Sequence, residues 1–203
     1  ATHTPEQVQF YCLDFGGGSL AGISGLPHVG SVATRGDMDA VRRTVAEVAA
    51  IVNHRERLFT DLGLESMRDY RSRRAEWFAT GTAAPTDPLA VDRHGDVFLV
   101  IDGLGVLRSE LDFLEDQLAA IVAQGLSYGV HVIVTASRWA EVRPAMKDLV
   151  GSRVELKLGD AMDSDISRRR GRPSSVRSRW TPPPKPRWSS NMSCASSRAS
   201  TAS

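Results

Sequence analysis

The residue in this sequence whose position most suggests chemistry is Asp102, which ends the apolar run in VFLVIDG (97–103). An apolar strand ending in an aspartate is typical of the Walker B motif, whose carboxylate helps to hold Mg²⁺ on nucleotide phosphates. The pattern also has a purely structural explanation, because aspartate starts turns well after any strand. On spacing alone both interpretations stand, and Asp102 is a candidate metal ligand.

Gly103 occupies the position directly after this aspartate. Many ATPases with a Walker B motif carry a glutamate there, where its carboxylate can orient the attacking water. Glycine has no side chain that could accept a proton, so it cannot serve as a general base. The acidic residues Glu110 and Asp112 lie further along and are expected to cap the start of a helix. We therefore predict no catalytic residue at this site, only nucleotide contacts near Asp102 and Gly103.

A phosphate-binding loop of the form G-x-x-x-x-G-K-[S/T] supplies the amides and the lysine that grip nucleotide phosphates. No such run occurs anywhere in the 203 residues. The triple glycine at residues 16–18 follows an apolar run, but it is not followed by a lysine and lacks the spacing of a dinucleotide fingerprint. We interpret it as a loop between the edge of a sheet and the surface.

Other polar residues have weaker signals. Ser137 follows an apolar run and is a candidate sensor of a γ-phosphate, although capping of the next helix explains it at least as well. The histidines His28 and His131 lie in or beside predicted strands without partner ligands and are expected to be structural. The basic run at residues 71–74 (RSRR) is expected to be a solvated helix face.

Strands and helices that would position these residues follow from hydrophobic periodicity. Buried strands are predicted at residues 8–15, 28–33, 97–101 and 130–136, and an edge strand at residues 153–158. A first helix is predicted after an Asp37 cap, with an apolar seam from Met38 to Val52 and Glu56 off the seam, and a second at residues 64–79. A third follows a Ser109 cap and has a seam of Leu111, Leu114, Leu118 and Ile121. A fourth, at residues 141–150, is interrupted early by Pro144. Strands alternating with helices indicate the α/β class with a mostly parallel sheet.

The carboxyl ends of parallel strands lie at one edge of the sheet, and ligands bind beyond that edge. The predicted strands bring three pairs of residues there, namely Phe15-Gly16, Asp102-Gly103 and Ala136-Ser137. The candidate nucleotide contacts, Asp102, Gly103 and Ser137, therefore belong to one predicted site.

Charge divides the chain into two parts. Residues 167–203 hold no acidic residue but nine of the 25 basic ones, which leaves 16 basic against 24 acidic residues in the first 166. We predict a folded domain at residues 1–166 and a basic, Ser/Arg/Pro-rich disordered tail at residues 167–203, because the tail lacks apolar residues to bury. The abrupt change of composition suggests a shifted reading frame. An acidic folded part makes nucleic acid an improbable partner.

Two cysteines without metal-ligand spacing are typical of a reduced, cytosolic compartment. No apolar run is long enough for a membrane span, and the first residues do not have the pattern of a secretion signal.

Four segments together resemble the EccC family, the FtsK/SpoIIIE-type ATPases of type VII (ESX) secretion systems. They are FYCLDFGGGSLAGISGLPHVGSVATR (10–35), DAVRRTVAEVAAIVNHRERLF (39–59), GDVFLVIDGLGVLR (95–108) and the stretch from GLSYGV to LGD (125–160). The similarity runs from about residue 3 to 165. It is strongest to the second of three tandem ATPase domains, the one carried on the EccCb chain where the protein is split.

This resemblance implies a RecA-like P-loop NTPase fold, a three-layer α/β/α arrangement that binds ATP and Mg²⁺. Asp102 matches the Walker B aspartate, Gly103 matches the position where the first, catalytic domain has glutamate, and Ser137 matches a polar residue after the sensor strand. The Walker A loop of the family precedes the first matched segment, so this chain is expected to lack the first strand and the P-loop.

The resemblance further implies a cytoplasmic location, with the membrane reached only through an inner-membrane secretion complex. Its implied partners are other ATPase domains or subunits of the motor and secreted helical-hairpin proteins. The leading hypothesis is a partial, degenerate ATP-binding domain of that motor, inactive alone. Two alternatives stay open at this point: an FtsK-type DNA translocase domain and a non-enzymatic docking module for secreted substrates.

Overall fold

The computed structural model describes residues 3–80 and 87–156. Its strands are β1 (Val8–Asp14), β2 (Val29–Thr34), β3 (Asp96–Asp102) and β4 (Val130–Val134). Its α-helices are α1 (Met38–Leu62), α2 (Met67–Thr80), α3 (Pro88–Val91), α4 (Leu104–Glu110), α5 (Glu115–Gln124) and α6 (Pro144–Leu149). Short 3₁₀ turns lie at Ser19–Ile23, Asp112–Leu114, Gly125–Tyr128 and Trp139–Glu141.

The four strands form one parallel sheet in the order β2-β1-β3-β4. This arrangement confirms the predicted α/β class with a parallel sheet. The central pair, β1 and β3, runs in register over seven residue pairs from Val8↔Asp96 to Asp14↔Asp102. The two aspartates that end these strands therefore stand side by side at the carboxyl edge of the sheet.

The main core lies on one face of the sheet. Alternate strand residues point into it, which explains why β3 alternates between buried and partly exposed positions along its whole length. The sheet contributes Tyr11, Leu13, Val97, Leu99, Ile101 and Val130, and helices α1, α4 and α5 contribute Val41, Val45, Val48, Val52, Leu104, Leu107, Leu118 and Ile121. The apolar seam predicted for α1 is thus confirmed as its buried side.

On the opposite face, three rings stand in a row across neighbouring strands. Phe10 of β1 stacks on Phe98 of β3 with centroids 5.4 Å apart, and Phe98 stacks on His131 of β4 at 4.7 Å. The register explains the row, because Phe98 pairs with Phe10 on one side and with His131 on the other. These rings are only partly buried. The Nε2 atom of His131 lies 3.2 Å from Asp96 Oδ1, so this histidine has a partner in the sheet, and a purely structural role for it stays a prediction.

Helix α1 begins where Asp37 accepts a hydrogen bond from the Ala40 amide, as predicted for its cap. It ends at Gly63, which has a left-handed backbone conformation. The helix continues beyond its Val52 seam residue to Leu62 because Leu58 and Phe59 are buried in a second apolar cluster with α2.

A buried polar cluster joins α1, α2 and the loop before β3. The guanidinium of Arg55, which is 0% exposed, donates to Asp92 Oδ2 at 2.8 Å and to backbone carbonyls of Tyr128, His94 and Gly95, each at 2.7 Å. Tyr70 donates to the same Asp92 oxygen at 2.8 Å, and burial raises the pKa of Tyr70 to about 12. Burial alone would raise the pKa of Asp92, but the His94 hydrogen bonds and the Arg55 charge outweigh it and hold that pKa well below its usual range.

This cluster corrects one prediction about the basic run at residues 71–74. Arg71 and Arg73 are exposed, but Arg74 is buried and donates to the Tyr70 hydroxyl at 2.9 Å. Arg71 pairs with Asp96 at 2.7 Å. The helix therefore uses part of its basic run inside the protein, because a buried tyrosine hydroxyl is available as a partner.

The segment after β3 also differs from the prediction. Ser109 does not cap a helix: it lies inside α4, where its hydroxyl donates to the Val106 carbonyl at 2.8 Å. The predicted seam from Leu111 to Ile121 does not lie on one helix, because α4 starts directly after Gly103 and already ends at Glu110. Leu111 and Leu114 then lie between α4 and α5. Glu110 closes a helix instead of starting one, and it pairs with Arg35.

Two further predictions near the end of the described region are wrong. Helix α6 begins at Pro144 and not at residue 141, because proline fits the first turn of a helix and not its interior. Residues 153–156 form no strand. Arg153 instead stacks on the Trp139 ring, with its guanidinium carbon 3.5 Å from the ring centroid.

The predicted disordered tail at 167–203 lies outside the described residues.

No helix among the described residues is both long enough and apolar enough to cross a bilayer.

Candidate functional site

The candidate site is the carboxyl edge of the sheet, where β3 ends at Asp102. Backbone bonds tie the ends of three strands together there. The Phe15 amide donates to the Asp102 carbonyl at 2.9 Å, and the Thr135 amide donates to the Ile101 carbonyl at 2.9 Å. The residues that follow β1 and β4 therefore flank Asp102, as the sequence predicted.

The carboxylate of Asp102 is held between two hydroxyl groups. Thr135 Oγ1 donates to Oδ1 of Asp102 at 2.6 Å, and Ser19 Oγ donates to Oδ2 at 3.2 Å. The first hydroxyl comes from the residue after β4, and the second comes from the loop after β1. Asp102 is only partly buried, so its carboxylate faces the rim of the sheet and not the core.

Gly103 turns the chain sharply from β3 into α4. Its φ is +85°, in the left-handed region, and it forms the N-cap of the helix. Its amide donates to Thr135 Oγ1 at 2.9 Å, so Thr135 contacts both Asp102 and Gly103. A Cβ atom at this position would lie 3.0 Å from the backbone carbonyl carbon of Phe15. Glycine is therefore favoured here by backbone geometry, and it cannot act as a base.

The loop that follows β1 is folded by Asp14, a buried carboxylate that is 3% exposed. Its Oδ1 accepts the Gly18 amide at 2.9 Å and its Oδ2 accepts the Leu20 amide at 2.8 Å. Gly16 lies against Asp102 so closely that a Cβ atom there would be 2.0 Å from Asp102 Oδ2. The triple glycine is thus part of the surroundings of Asp102.

Ser137 lies two residues beyond Thr135, at the same edge. Its amide donates to Glu141 Oε2 at 3.0 Å, which closes the turn after β4. The same Glu141 oxygen lies close to Gly105 of α4, where a Cβ atom would approach it to 2.8 Å. Asp102 and Gly103 are therefore joined directly through Thr135, whereas Ser137 is tied to Glu141. A phosphate-sensing role for Ser137 stays a prediction.

The donor atoms around Asp102 suit magnesium. Carboxylate and hydroxyl oxygens are the hard ligands that this ion prefers, and Mg²⁺ commonly uses one or two carboxylates together with water and substrate phosphates. Within residues 3–80 and 87–156 no group of three or more His, Cys, Asp and Glu side chains could hold a metal ion. A single carboxylate flanked by hydroxyl groups fits a hydrated ion shared with a phosphate ligand, and cation binding at Asp102 stays a prediction.

Three residues of this site were not singled out from the sequence. Asp14 ends an apolar strand in FYCLD as Asp102 does in FLVID, so the repeated pattern was available as a signal. Thr135 was predicted to lie within the last buried strand, and it lies just past its end. Ser19 had no local signal, because its approach to Asp102 depends on the fold of the glycine loop.

The sequence matches a model of the FtsK/SpoIIIE family over residues 1–179. It is 49% identical over 168 residues to the ESX secretion system protein EccC of Thermomonospora curvata. The aligned stretch covers 83% of this chain and 12% of that protein. It is 46% identical over 168 residues to the ESX-1 secretion system protein EccCb1 of Mycolicibacterium smegmatis. That alignment covers 83% of this chain and 27% of the relative. The chain thus spans only a small part of the length of these relatives.

The fold matches solved structures of the same group. The cytoplasmic domain of the T. curvata type VII secretion ATPase EccC gives a TM-score of 0.72 at 50% identity, covering 82% of this chain and 18% of that one. A structure of T. curvata EccC (ATPases 2 and 3) in complex with a signal sequence peptide gives the same TM-score and identity, covering 82% of this chain and 28% of that one.

These matches confirm the predicted resemblance and the P-loop NTPase type of α/β fold. By its sequence over residues 1–179 and by its parallel sheet, the chain belongs to the FtsK/SpoIIIE family, and it is homologous to the ATPase domains of EccC proteins of type VII secretion.

Proposed function

We propose that this chain is a nucleotide-binding domain of a type VII secretion motor that holds Mg²⁺ and ATP at Asp102 without rapid hydrolysis. The observation that carries the proposal is the position of Asp102 at the carboxyl edge of the parallel sheet, in register with Asp14 and bonded to Thr135. This edge is where ligands bind in open α/β sheets.

In this proposal Asp102 is the magnesium ligand, acting directly or through water. A bound magnesium ion would neutralise charge on the nucleotide phosphate oxygens. Thr135 fixes the carboxylate by donating to Oδ1, while Ser19 donates to the other oxygen, Oδ2. The Gly103 amide is bound to the same threonine, so the turn into α4 is held in place with the carboxylate.

Slow or absent hydrolysis follows from what surrounds Asp102. Gly103 supplies no carboxylate to orient a water molecule, and its left-handed conformation disfavours any residue with a side chain. No lysine of a phosphate-binding loop occurs in the sequence. Because Gly103 supplies no carboxylate, we expect magnesium and nucleotide bound at Asp102 to serve a structural or regulatory role.

The test is an assay of phosphate release from ATP by the 203-residue chain in the presence of Mg²⁺. We expect no turnover above the rate without protein. Measurable turnover that disappears in Asp102→Ala would contradict the proposal that the domain is inactive by itself. The variant Asp39→Ala, which removes an exposed carboxylate of α1, is the matched control.

We also propose that the domain works among other ATPase domains or subunits of the motor, at the cytoplasmic side of an inner-membrane complex. A docking role is favoured by one observation: the T. curvata EccC structure to which this chain is similar was solved with a signal sequence peptide. The proposed substrates are secreted helical-hairpin proteins, recognised by the wider motor and in part by this domain.

The docking role is tested by a pull-down of a purified secreted helical-hairpin pair on the immobilised chain, with and without Mg²⁺ and ATP. Retention of the pair without nucleotide would support a docking module that acts independently of the Asp102 site. No retention under either condition would contradict a substrate-docking role for this domain and leave the nucleotide proposal unaffected.

A further inference from the structure

The loop after β1 is anchored by the side chain of Asp14. The Asp14 carboxylate is buried, and it binds the amides of Gly18 and Leu20 with its two oxygens. Hydrogen bonds from amides to a carboxylate are stronger than neutral ones. Residues 15–20, here called the strap, therefore have a defined position that depends on Asp14.

That position brings the strap onto Asp102. Asp14 and Asp102 are register partners on adjacent strands, so a loop that closes back over Asp14 can reach Asp102. The Gly16 backbone lies directly against Asp102 Oδ2, where a Cβ atom would be only 2.0 Å away. Ser19 then donates to that same oxygen at 3.2 Å.

The two oxygens of Asp102 are thus engaged in different ways. Oδ1 is bonded to Thr135, which belongs to the chain just after β4 and also holds the Gly103 amide. Oδ2 is covered by the strap, through an exposed serine and a glycine with no side chain. A cation that binds Oδ2 must therefore compete with the Ser19 hydroxyl for that oxygen.

We propose that the strap is an autoinhibitory cover of Asp102, and that Ser19 must leave Oδ2 before a divalent cation binds there. Asp14 is its positioning residue, because it holds the strap closed without contacting the cation. The inference rests on the proposed function, since it concerns access to the cation site at Asp102.

The test measures the affinity of the full 203-residue chain for Mn²⁺, by electron paramagnetic resonance of the free ion. Asp102→Ala must first weaken Mn²⁺ binding. If it does not, the cation is not at Asp102, and both the proposed function and the strap are overturned. Ser19→Ala is then expected to tighten binding by about three-fold, as one competing hydrogen bond to a carboxylate is removed.

Ser24→Ala is the matched control, because the Ser24 hydroxyl donates to the Ala21 carbonyl and not to Asp102. It is expected to leave the Mn²⁺ affinity unchanged. If Asp102→Ala weakens binding but Ser19→Ala leaves it unchanged, the strap does not control access and this inference alone fails. If Ser19→Ala weakens binding, Ser19 is a cation ligand, and the inference is overturned in the same way.

The positioning role of Asp14 has a separate readout in amide hydrogen exchange without any cation. Asp14→Asn is expected to speed the exchange of the Gly18 and Leu20 amides. Asp37→Asn, which alters a carboxylate that caps α1, should leave these two amides unchanged. Unaltered exchange of Gly18 and Leu20 in Asp14→Asn would overturn the assignment of Asp14.

Discussion

At the scale of single residues, Thr135 accounts for the orientation of Asp102. One threonine hydroxyl donates to the carboxylate and accepts the Gly103 amide, so it fixes a charged side chain and the start of a helix together. Thr135 is exposed, and it restrains Asp102 without removing it from solvent. The aspartate therefore keeps access to water, which a hydrated cation requires.

Introducing the missing carboxylate by Gly103→Glu is expected to give no ATP hydrolysis. We expect it to lower the free energy of unfolding by about 2 kcal/mol, because a left-handed backbone disfavours a side chain and the new Cβ crowds Phe15. Urea denaturation and a phosphate-release assay measure both effects. Gly22→Ala is the control, since a Cβ there meets no atom within 4 Å. A Gly103→Glu variant that is stable and hydrolyses ATP would contradict this account.

Asp92 gives the protein a stability that depends on pH. The pKa of Asp92 in the folded protein lies below its value of about 3.9 in the unfolded chain. Asp92 therefore stabilises the folded protein fully above about pH 3.9, and this stabilisation declines as the pH falls toward the folded pKa. Asp92→Asn should lower the free energy of unfolding by about 3 kcal/mol at pH 7, because Arg55 loses a buried partner.

The difference between wild type and Asp92→Asn should shrink as the pH falls from about 5 to 3. Urea denaturation of both proteins across this range measures it. A difference that stays constant over the range would show that Asp92 keeps its ordinary pKa in the folded protein.

At the scale of elements, hydrophobic periodicity predicted β1 to β4 and the buried seam of α1, because it reports directly on burial. It also predicted an edge strand from residue 153, where residues 153–156 form none. β3 alternates as its pattern requires, and the Val41 to Val52 seam of α1 is buried. The segment after Asp102 could not be divided correctly, because one apolar seam serves two helices there. Their boundary depends on the Gly103 turn and on Arg108 and Arg143, which both pair with Glu115. These are tertiary contacts without a local signal.

The same reasoning applies to the candidate site. Asp102 and its place at the sheet edge could be predicted, because a strand end is a local feature. The contacts from Ser19 and Thr135 could not be predicted, since they join residues separated by 83 and 33 positions in the chain.

Helix α5 is held to the sheet by its buried side. Leu118 is 1% exposed in the main core, so Leu118→Ala is expected to lower the free energy of unfolding by about 2–5 kcal/mol. Leu126→Ala is the matched control, because Leu126 is 68% exposed, and a change within about 0.5 kcal/mol is expected. Urea denaturation compares the two. Equal effects of both substitutions would contradict the packing of α5 described above.

At the scale of the whole molecule, the sheet of the described residues ends at β4, and no strand within that region pairs with its outer edge. Ile133 of this strand is 46% exposed. A strand edge with an exposed apolar residue favours pairing between molecules. The isolated chain is therefore expected to self-associate as its concentration rises.

Ile133→Lys should reduce this self-association, because a lysine on an edge strand opposes pairing. Sedimentation velocity over a range of concentrations measures the effect. Leu26→Lys is the control, since Leu26 is 52% exposed and precedes β2 at the other side of the sheet. Self-association that is equal in both variants would show that the β4 edge is not responsible.

We propose above that Asp102 holds the divalent cation at the carboxyl edge of the sheet. The most direct measurement is the broadening of backbone amide NMR signals by added Mn²⁺, in wild type and in Asp102→Ala. The account predicts the strongest broadening at Gly103, Ser19 and Thr135, and its loss in the variant. Broadening centred elsewhere, or unchanged in Asp102→Ala, would contradict it.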